Sequence, residues 1–303
     1  MINKDFKSIL DLLKSFPDEQ SCIDHLTELR WNGNVVSPFD PTSKVYTCKG
    51  NKYRCKNTGK YFNVKTGTMF DNSKIELQKW FTAIYLVTGH SKGISSVQLS
   101  KDIDVTQKTA WFMLQRIRNC FGIEEGELDN EVEVDETYVG GKNKNRHANK
   151  KVPMSQGRSQ KDKTPILGMV ERGGKLVAKK VDNVKGATLT PEVISMVKHT
   201  AKVYTDEWLG YNALQRVYDH SFVKHNRGEY VNGRVHTNTI EGFWSLLKRG
   251  IVGIYHFTSK KHLQKYVDEF VFRYNSRNSC TRVRFNTLLS NTEHRLTYAE
   301  LTK

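Results

Sequence analysis

Three acidic side chains, Asp135, Asp206 and Glu241, are the residues of this chain whose types and spacing could do chemistry. The first lies in Glu131-Val-Glu-Val-Asp-Glu-Thr-Tyr-Val-Gly-Gly141. Alternation along a strand places Glu131, Glu133 and Asp135 on one face and Val132 and Val134 on the other. Carboxylates gathered in this way repel one another unless solvent or a cation lies over them. On this stretch alone two readings stand: the solvated face of an edge strand, or the first ligand of a hard metal ion. Asp206 closes a second strand, Ala201-Lys-Val-Tyr-Thr-Asp206, and Glu241 lies 35 residues further on, in the first turn of a helix. A glutamate there is ordinary, since it complements the helix dipole. Here, however, Asn238 precedes it and Ser245 and Lys248 follow at i+4 and i+7 on the same face. Two aspartates on neighbouring strands and a glutamate on a helix suit a pair of Mg²⁺ or Mn²⁺ ions about 3.5–4 Å apart, acting on a phosphodiester. Lys248 would then touch a nucleic-acid backbone near the scissile phosphate. No nucleophilic Ser or Cys with a base partner competes, and no phosphate-cradling Gly-Lys-Ser loop is found.

These acids need a scaffold. The strand of Asp135, Pro165-Ile-Leu-Gly-Met-Val170 and Lys175-Leu-Val-Ala-Lys-Lys-Val181 read as a three-stranded antiparallel meander with a Gly173-Gly174 turn. Thr190 is expected to cap a helix with Pro191 at its first position. The strand of Asp206, a helical stretch from Leu209 to Tyr218 and a short strand Ser221–His225 follow. The order β-β-β-α-β-α-β-α predicts a ribonuclease-H-like α/β domain with a mixed sheet flanked by helices. Glu131 and Glu133 fall behind Asp135, where solvation or pairing with Lys or Arg is expected. Glu136 faces the other way and receives no role.

Lys and Arg outnumber Asp and Glu by 48 to 32, a net charge of +16, which points to a polyanion. No run of 18 apolar residues and no signal-peptide core is present, so a membrane is not expected. Five scattered cysteines argue against a disulfide framework and for a reducing interior. The class that remains is a cytoplasmic, nucleoid-associated DNA binder.

The first half supplies the binding elements. Residues 1–30 read as a helical pair broken at Pro17. Residues 31–70 read as three short strands, at Val45–Cys48, Lys52–Cys55 and Lys60–Val64, in the shape of a zinc ribbon. The Cys-x-x-Cys pairs such a unit needs are missing: Ser37-Pro-Phe-Asp40 and Cys55-Lys-Asn-Thr58 stand in their places. Cys55 and Cys48 are the only thiols available to a zinc ion there, so a degenerate ribbon without metal is expected. In residues 71–122, Ser73-Lys-Ile-Glu76 reads as a capping box before an apolar helix. A helix-turn-helix follows, with its turn at Asp104-Val105 and Gln107, Lys108 and Thr109 on the exposed first turn of its second helix. Arg116 is assigned to the same DNA surface. A helical hairpin used only for packing is the plain alternative. Residues 142–163 hold eight Lys or Arg and one acid, and read as a mobile loop. Lys142, Lys144, Arg146, Lys150 and Lys151, with Arg249 at the end of the Glu241 helix, are the further candidates for holding a DNA backbone. The catalytic region is set at 128–278 and a tail at 279–303.

The blocks Val134-Asp-Glu-Thr-Tyr-Val-Gly-Gly-Lys142, Tyr204-Thr-Asp-Glu-Trp-Leu-Gly-Tyr211 and His236-Thr-Asn-Thr-Ile-Glu-Gly-Phe-Trp-Ser-Leu-Leu-Lys-Arg249 resemble the signatures of insertion-sequence transposases of the DDE type. Within these the chain is similar to the ISXO2-like group, which carries an N-terminal zinc ribbon and a ribonuclease-H-like catalytic domain. The likeness runs on through Gly253-Ile-Tyr-His256 and Glu269-Phe-Val-Phe-Arg-Tyr-Asn275, about residues 20 to 290 in all. It implies that Asp135, Asp206 and Glu241 bind two Mg²⁺ or Mn²⁺ ions, and that the substrates are terminal inverted repeats and target DNA. It also implies a homodimer or higher oligomer at work. Some members of the group place Asn at the third position, so Asn238 stands beside Glu241. The chain departs from the group in its ribbon cysteines. A helix-turn-helix regulator left by a decayed element, or a nuclease without strand transfer, are the other readings.

Overall fold

The computed structural model describes residues 6–122, 126–140, 146–154, 159, 161–224, 226 and 231–303. Lys142, Lys144, Arg158 and His225 lie outside the described residues. The chain divides into two compact units, Gly122–Arg277 and a second built from Met1–Phe121 together with Asn278–Lys303. The stretch expected as a tail is thus part of the N-terminal unit, and the three N-terminal regions expected separately form one body with it.

That unit begins with α1 (Ile9–Ser15) and α2 (Glu19–Trp31), each opened by a capping box, at Ser8 and Asp18. A three-stranded antiparallel sheet follows, β1 (Val45–Cys48), β2 (Lys52–Cys55) and β3 (Tyr61–Phe62). Register pairs Cys48 with Lys52 and Val45 with Cys55, so the two thiols sit at opposite ends of one hairpin, roughly 10 Å apart along the strand. They cannot share a metal ion. Cys55 is instead buried among hydroxyl groups: burial pushes its thiol up, but hydrogen bonds from Ser43, Thr58 and Ser37 outweigh this and bring it down to about 6. Asp40 closes the same knot, accepting from Asn57 Nδ2 at 2.7 Å and Thr42 Oγ1 at 2.7 Å.

Next come α3 (Leu77–Gly89), α4 (Ser96–Asp102) and α5 (Gln107–Arg118). The expected capping box does not form at α3. Ser73 Oγ accepts from Trp80 Nε1 at 3.0 Å, and the helix start is capped by Glu19, which takes Leu77 N–H at 2.6 Å. Between α4 and α5 the backbone turns at Asp104 in the left-handed region, and Thr106 caps α5. After the second unit the chain returns as α9 (Thr281–Ser290) and α10 (Tyr298–Thr302). Phe285 of α9 meets Phe6, Phe16 and Phe81 at centroid distances of 5.2, 6.2 and 5.4 Å, making the aromatic centre of this unit's core.

The other unit is a five-stranded mixed sheet in the order β6-β5-β4-β7-β8. The strands β4 (Glu131–Gly140), β5 (Lys163–Glu171) and β6 (Leu176–Lys180) form the antiparallel meander. The strands β7 (Lys202–Thr205) and β8 (Asp219–Phe222) add to it in parallel. This is the ribonuclease-H-like arrangement, mixed α/β with helices over the sheet. One face packs Val132, Val134, Leu167 and Met169 against α6 (Gly186–Met196) and the 3-10 segment Leu209–Arg216. The other packs Ile166 and Val170 against α7 (Asn238–Gly250) and α8 (Leu263–Asn275). Helix α6 starts a turn before the expected Thr190 cap, with Pro191 inside it. Asn183 explains the shift, since its Oδ1 accepts Lys185 N–H at 3.0 Å and Thr188 Oγ1–H at 2.8 Å and so pins the chain for the earlier turn. Among the described residues no helix is long and apolar enough to cross a membrane.

Candidate active site

Parallel pairing brings the two aspartates together. The β4–β7 register runs Glu131↔Lys202, Val132↔Val203 and Glu133↔Tyr204. Continued by two residues, it sets Asp135 level with Asp206, which lies just past the carboxyl end of β7. Asp135 lies on the face covered by α7, two residues from Glu133 on that same face. Burial first, and then the negative charges of Glu136 and Asp206, push the Asp135 carboxyl up to about 8. Asp206 is itself buried, and its Oδ1 accepts the backbone N–H of Trp208 at 3.0 Å, which fixes the turn behind it.

Helix α7 lies along β4 and runs in the same direction. Its first turn meets Glu133, and one turn later Trp244 Nε1 donates to Asp135 Oδ2 at 3.0 Å. The two spans agree: two strand residues cover about 6.6 Å and four or five helix residues about 6–7.5 Å. Trp244 is therefore in contact with the first aspartate. Lys248, a turn further along, feels the Asp135 charge; burial lowers its ammonium, Asp135 acts against that, and Lys163 adds to the lowering.

Glu241 is the acid that the structure leaves apart. It is exposed, and Thr237 Oγ1 donates to its Oε1 at 3.0 Å. It nevertheless stands on the stripe that carries Trp244 and Lys248, at i, i+3 and i+7. Asn238 is exposed at the first position of α7. Among the described residues no group of three or more His, Cys, Asp or Glu is gathered at metal-ligand spacing. The donors do suit a hard divalent cation: two neighbouring carboxylates, Asp206 buried and Asp135 partly buried with its proton held far above the usual range, gain from a positive charge between them.

The other acids of the opening strand have structural partners. Glu133 is fully buried and takes Arg172 Nε at 2.7 Å, Thr239 N–H at 2.8 Å and Ile240 N–H at 3.1 Å. Glu131 takes Tyr204 O–H at 3.0 Å and lies 3.5 Å from Arg172. Arg172 also donates to the Arg234 and His236 carbonyls, tying the approach to α7 down onto the sheet. On the opposite face, Glu136 accepts Tyr211 O–H at 2.7 Å. That bond fastens the segment after Asp206 to the strand of Asp135, and so gives Glu136 the role that sequence reading missed.

The DNA-binding candidates divide. Gln107 and Lys108 are exposed at the start of α5, and Thr109 is partly exposed. Arg116 is buried, and its guanidinium donates to the carbonyls of Leu296, Met69 and Asp71 at 2.9–3.0 Å. Its guanidinium, on the inward half of α5, is turned to these carbonyls within the N-terminal unit, not to the surface where a DNA contact was expected. Arg146 pairs with Asp162 at 2.6 Å. Lys150, Lys151 and Arg249 are exposed.

A mixed ribonuclease-H-like sheet, with one aspartate in the middle of β4 and another just past the end of the adjacent β7, defines the class of fold. Residues 127–275 match the family model of the ISXO2-like transposase domain. A protein in transposable element ISH50 of Halobacterium salinarum is 30% identical over 276 residues, covering 86% of this chain and 92% of that protein. A transposase-like protein of Haemophilus influenzae is 30% identical over 97 residues, 32% of this chain and 77% of that protein. Among solved structures, the Mos1 strand transfer complex overlays with a TM-score of 0.29 at 12% identity, over 67% of this chain and 77% of that one. The chain belongs to the ISXO2-like family of insertion-sequence transposases.

Proposed function

We propose that this transposase cleaves DNA at the terminal inverted repeats of its insertion sequence and joins the freed ends to target DNA. The observation that carries this reading is that Asp135, in the middle of β4 and in contact with α7, stands level with Asp206, just past the end of the parallel strand β7, in a chain of this family. Asp135 and Asp206 would hold Mg²⁺ or Mn²⁺, with Glu241 reaching in as third ligand once its side chain leaves Thr237. Bound there, the metal would supply Lewis-acid stabilisation of the oxygens entering and leaving a phosphodiester. The chain's own part is placement. Lys248 offers a cation to the phosphate backbone beside Asp135, and Trp208 N–H and Trp244 N–H hold the two aspartates in orientation. Gln107, Lys108 and Thr109 would face the DNA major groove, and Lys150, Lys151 and Arg249 its backbone. Work at paired ends calls for a dimer or larger assembly.

The test uses the purified full chain, a terminal-repeat duplex and Mg²⁺ or Mn²⁺. Nicking at the repeat end and joining to a target duplex are expected, and Asp135→Asn and Asp206→Asn should each abolish both. Full activity in either variant would sink the assignment. Cleavage without joining would mark a nuclease, and binding without cleavage a regulator.

A further inference from the structure

We infer that Trp244 is a positioning residue for Asp135, and that Gly168 is the notch that lets it act; the inference rests on the metal reading above. Antiparallel register puts Gly168 directly across from Asp135 on β5. A Cβ built on Gly168 would stand 2.5 Å from Trp244 Cη2 and Cζ2 and 2.9 Å from Ile240 Cδ1. Real side chains do not approach so closely, so the six-membered ring of the indole occupies the space that any other residue would fill. Space, not backbone conformation, demands glycine at this position.

The ring lying in that notch is 4% exposed and packs against Phe243 at a centroid distance of 5.2 Å. Its one polar atom, Nε1–H, is a donor only and reaches Asp135 Oδ2 at 3.0 Å. Once a bound cation has ionised Asp135, this becomes the stronger, charge-assisted kind of hydrogen bond, and it comes from a ring that packing prevents from turning. The carboxylate is therefore held in one plane. With Oδ2 engaged, a grip through both oxygens is disfavoured and a one-oxygen contact is left for a cation. Small cations such as Mg²⁺ and Mn²⁺ accept that contact in octahedral coordination, whereas Ca²⁺ readily takes carboxylates by both oxygens. Trp244 thus orients the ligand and biases the site toward small ions, as groups hydrogen-bonded to metal ligands do elsewhere.

Metal titration of the full chain by calorimetry, without DNA, tests this. Trp244→Phe keeps the ring packing and removes the donor. It should weaken Mn²⁺ binding about 10–100-fold and weaken Ca²⁺ binding less. In the cleavage assay it should lower kcat with little change in KM for DNA. Gly168→Ala, which displaces the ring while keeping the indole, should shift metal affinity in the same direction. The double variant should lose no more affinity than Trp244→Phe alone, since both act through one contact. Wild-type Mn²⁺ affinity and an unchanged Mn²⁺-to-Ca²⁺ ratio in Trp244→Phe would overturn the proposal. If Asp135→Asn also binds Mn²⁺ normally, the metal reading itself fails. If only Asp135→Asn loses the ion, the site stands and the role of Trp244 falls. Should Gly168→Ala fail to fold, Trp244→Phe alone decides.

Discussion

Glu133 caps a helix that starts more than a hundred residues after it: its carboxylate accepts the backbone N–H of Thr239 at 2.8 Å, on the first turn of α7. Every α-helix begins with N–H groups that lack an internal partner, and a carboxylate also suits the positive end of the helix dipole. Glu133 therefore decides where α7 starts on β4, and with it where Trp244 and Lys248 stand relative to Asp135.

Removing that cap should cost stability before it costs chemistry. Glu133→Ala leaves the partly buried Arg172 without its closest carboxylate and leaves the N–H groups of Thr239 and Ile240 without their acceptor. A loss of about 3–5 kcal/mol is expected. Urea denaturation followed by a signal from the catalytic unit measures it. A loss within ~0.5 kcal/mol of zero would show that Glu133 is dispensable.

Asp135 gives the catalytic unit a pH dependence of definite sign. Its carboxyl is raised from 3.8 to about 8 in the folded chain, so the fold favours the protonated form. The stabilising contribution is complete below pH 4 and is lost as pH rises toward 8, with a slope on the order of 1.4 kcal/mol per pH unit in that window. In chelator, the melting temperature should fall from pH 5 to pH 8. Added Mg²⁺ should restore it most at the alkaline end, and Asp135→Asn should flatten the profile. A chelated wild-type profile no steeper than that of Asp135→Asn would contradict this.

Two of the cations of α5, Lys108 and Arg116, should respond differently to substitution. Lys108 is exposed, although it rests over the Tyr298 ring at 5.3 Å. Lys108→Ala should weaken binding to DNA of any sequence and reduce the salt slope of log K by about 1. Arg116→Ala should instead destabilise the N-terminal unit by about 2 kcal/mol or more, because three carbonyls lose their donor. Chemical denaturation and filter-binding across a salt series separate the two outcomes.

The ribbon should stand without metal. Its centre is Cys55 among the hydroxyls of Ser43, Thr58 and Ser37, with Asp40 bonded to Asn57. Phenanthroline should leave the melting temperature unchanged, and elemental analysis should find no stoichiometric zinc. Because the Cys55 thiol is lowered from 9.0 to about 6, its contribution is present above pH 9 and fades as pH falls through 6. Melting of Cys55→Ala across pH 6–9 should lack that rise.

Features that depend on short-range pattern were legible in the chain itself. The strand of Asp135, the meander after it, the helix of Glu241 and the turn before α5 all follow from period, turn residues and local caps. The contacts that orient them are not local. Glu19 caps α3, Glu133 caps α7, Tyr211 binds Glu136, and Trp244 reaches Asp135 over a glycine on the neighbouring strand β5. In each, the residue type looks unremarkable beside its own neighbours, and its partner lies tens of residues away. Arg116 erred in the opposite direction: basic composition suggested a surface, but the inward half of an amphipathic helix placed it in the core.

Phe285 has a consequence for synthesis. A ribosome delivers the N-terminal helices first, yet Phe6, Phe16 and Phe81 receive their central partner only when α9 emerges, after the whole of the catalytic unit. A chain cut short by a premature stop would carry the acidic site without a finished N-terminal body. The core of the N-terminal unit is therefore closed by the segment that follows the other unit in sequence, so that a truncation before α9 should leave Phe6, Phe16 and Phe81 without Phe285.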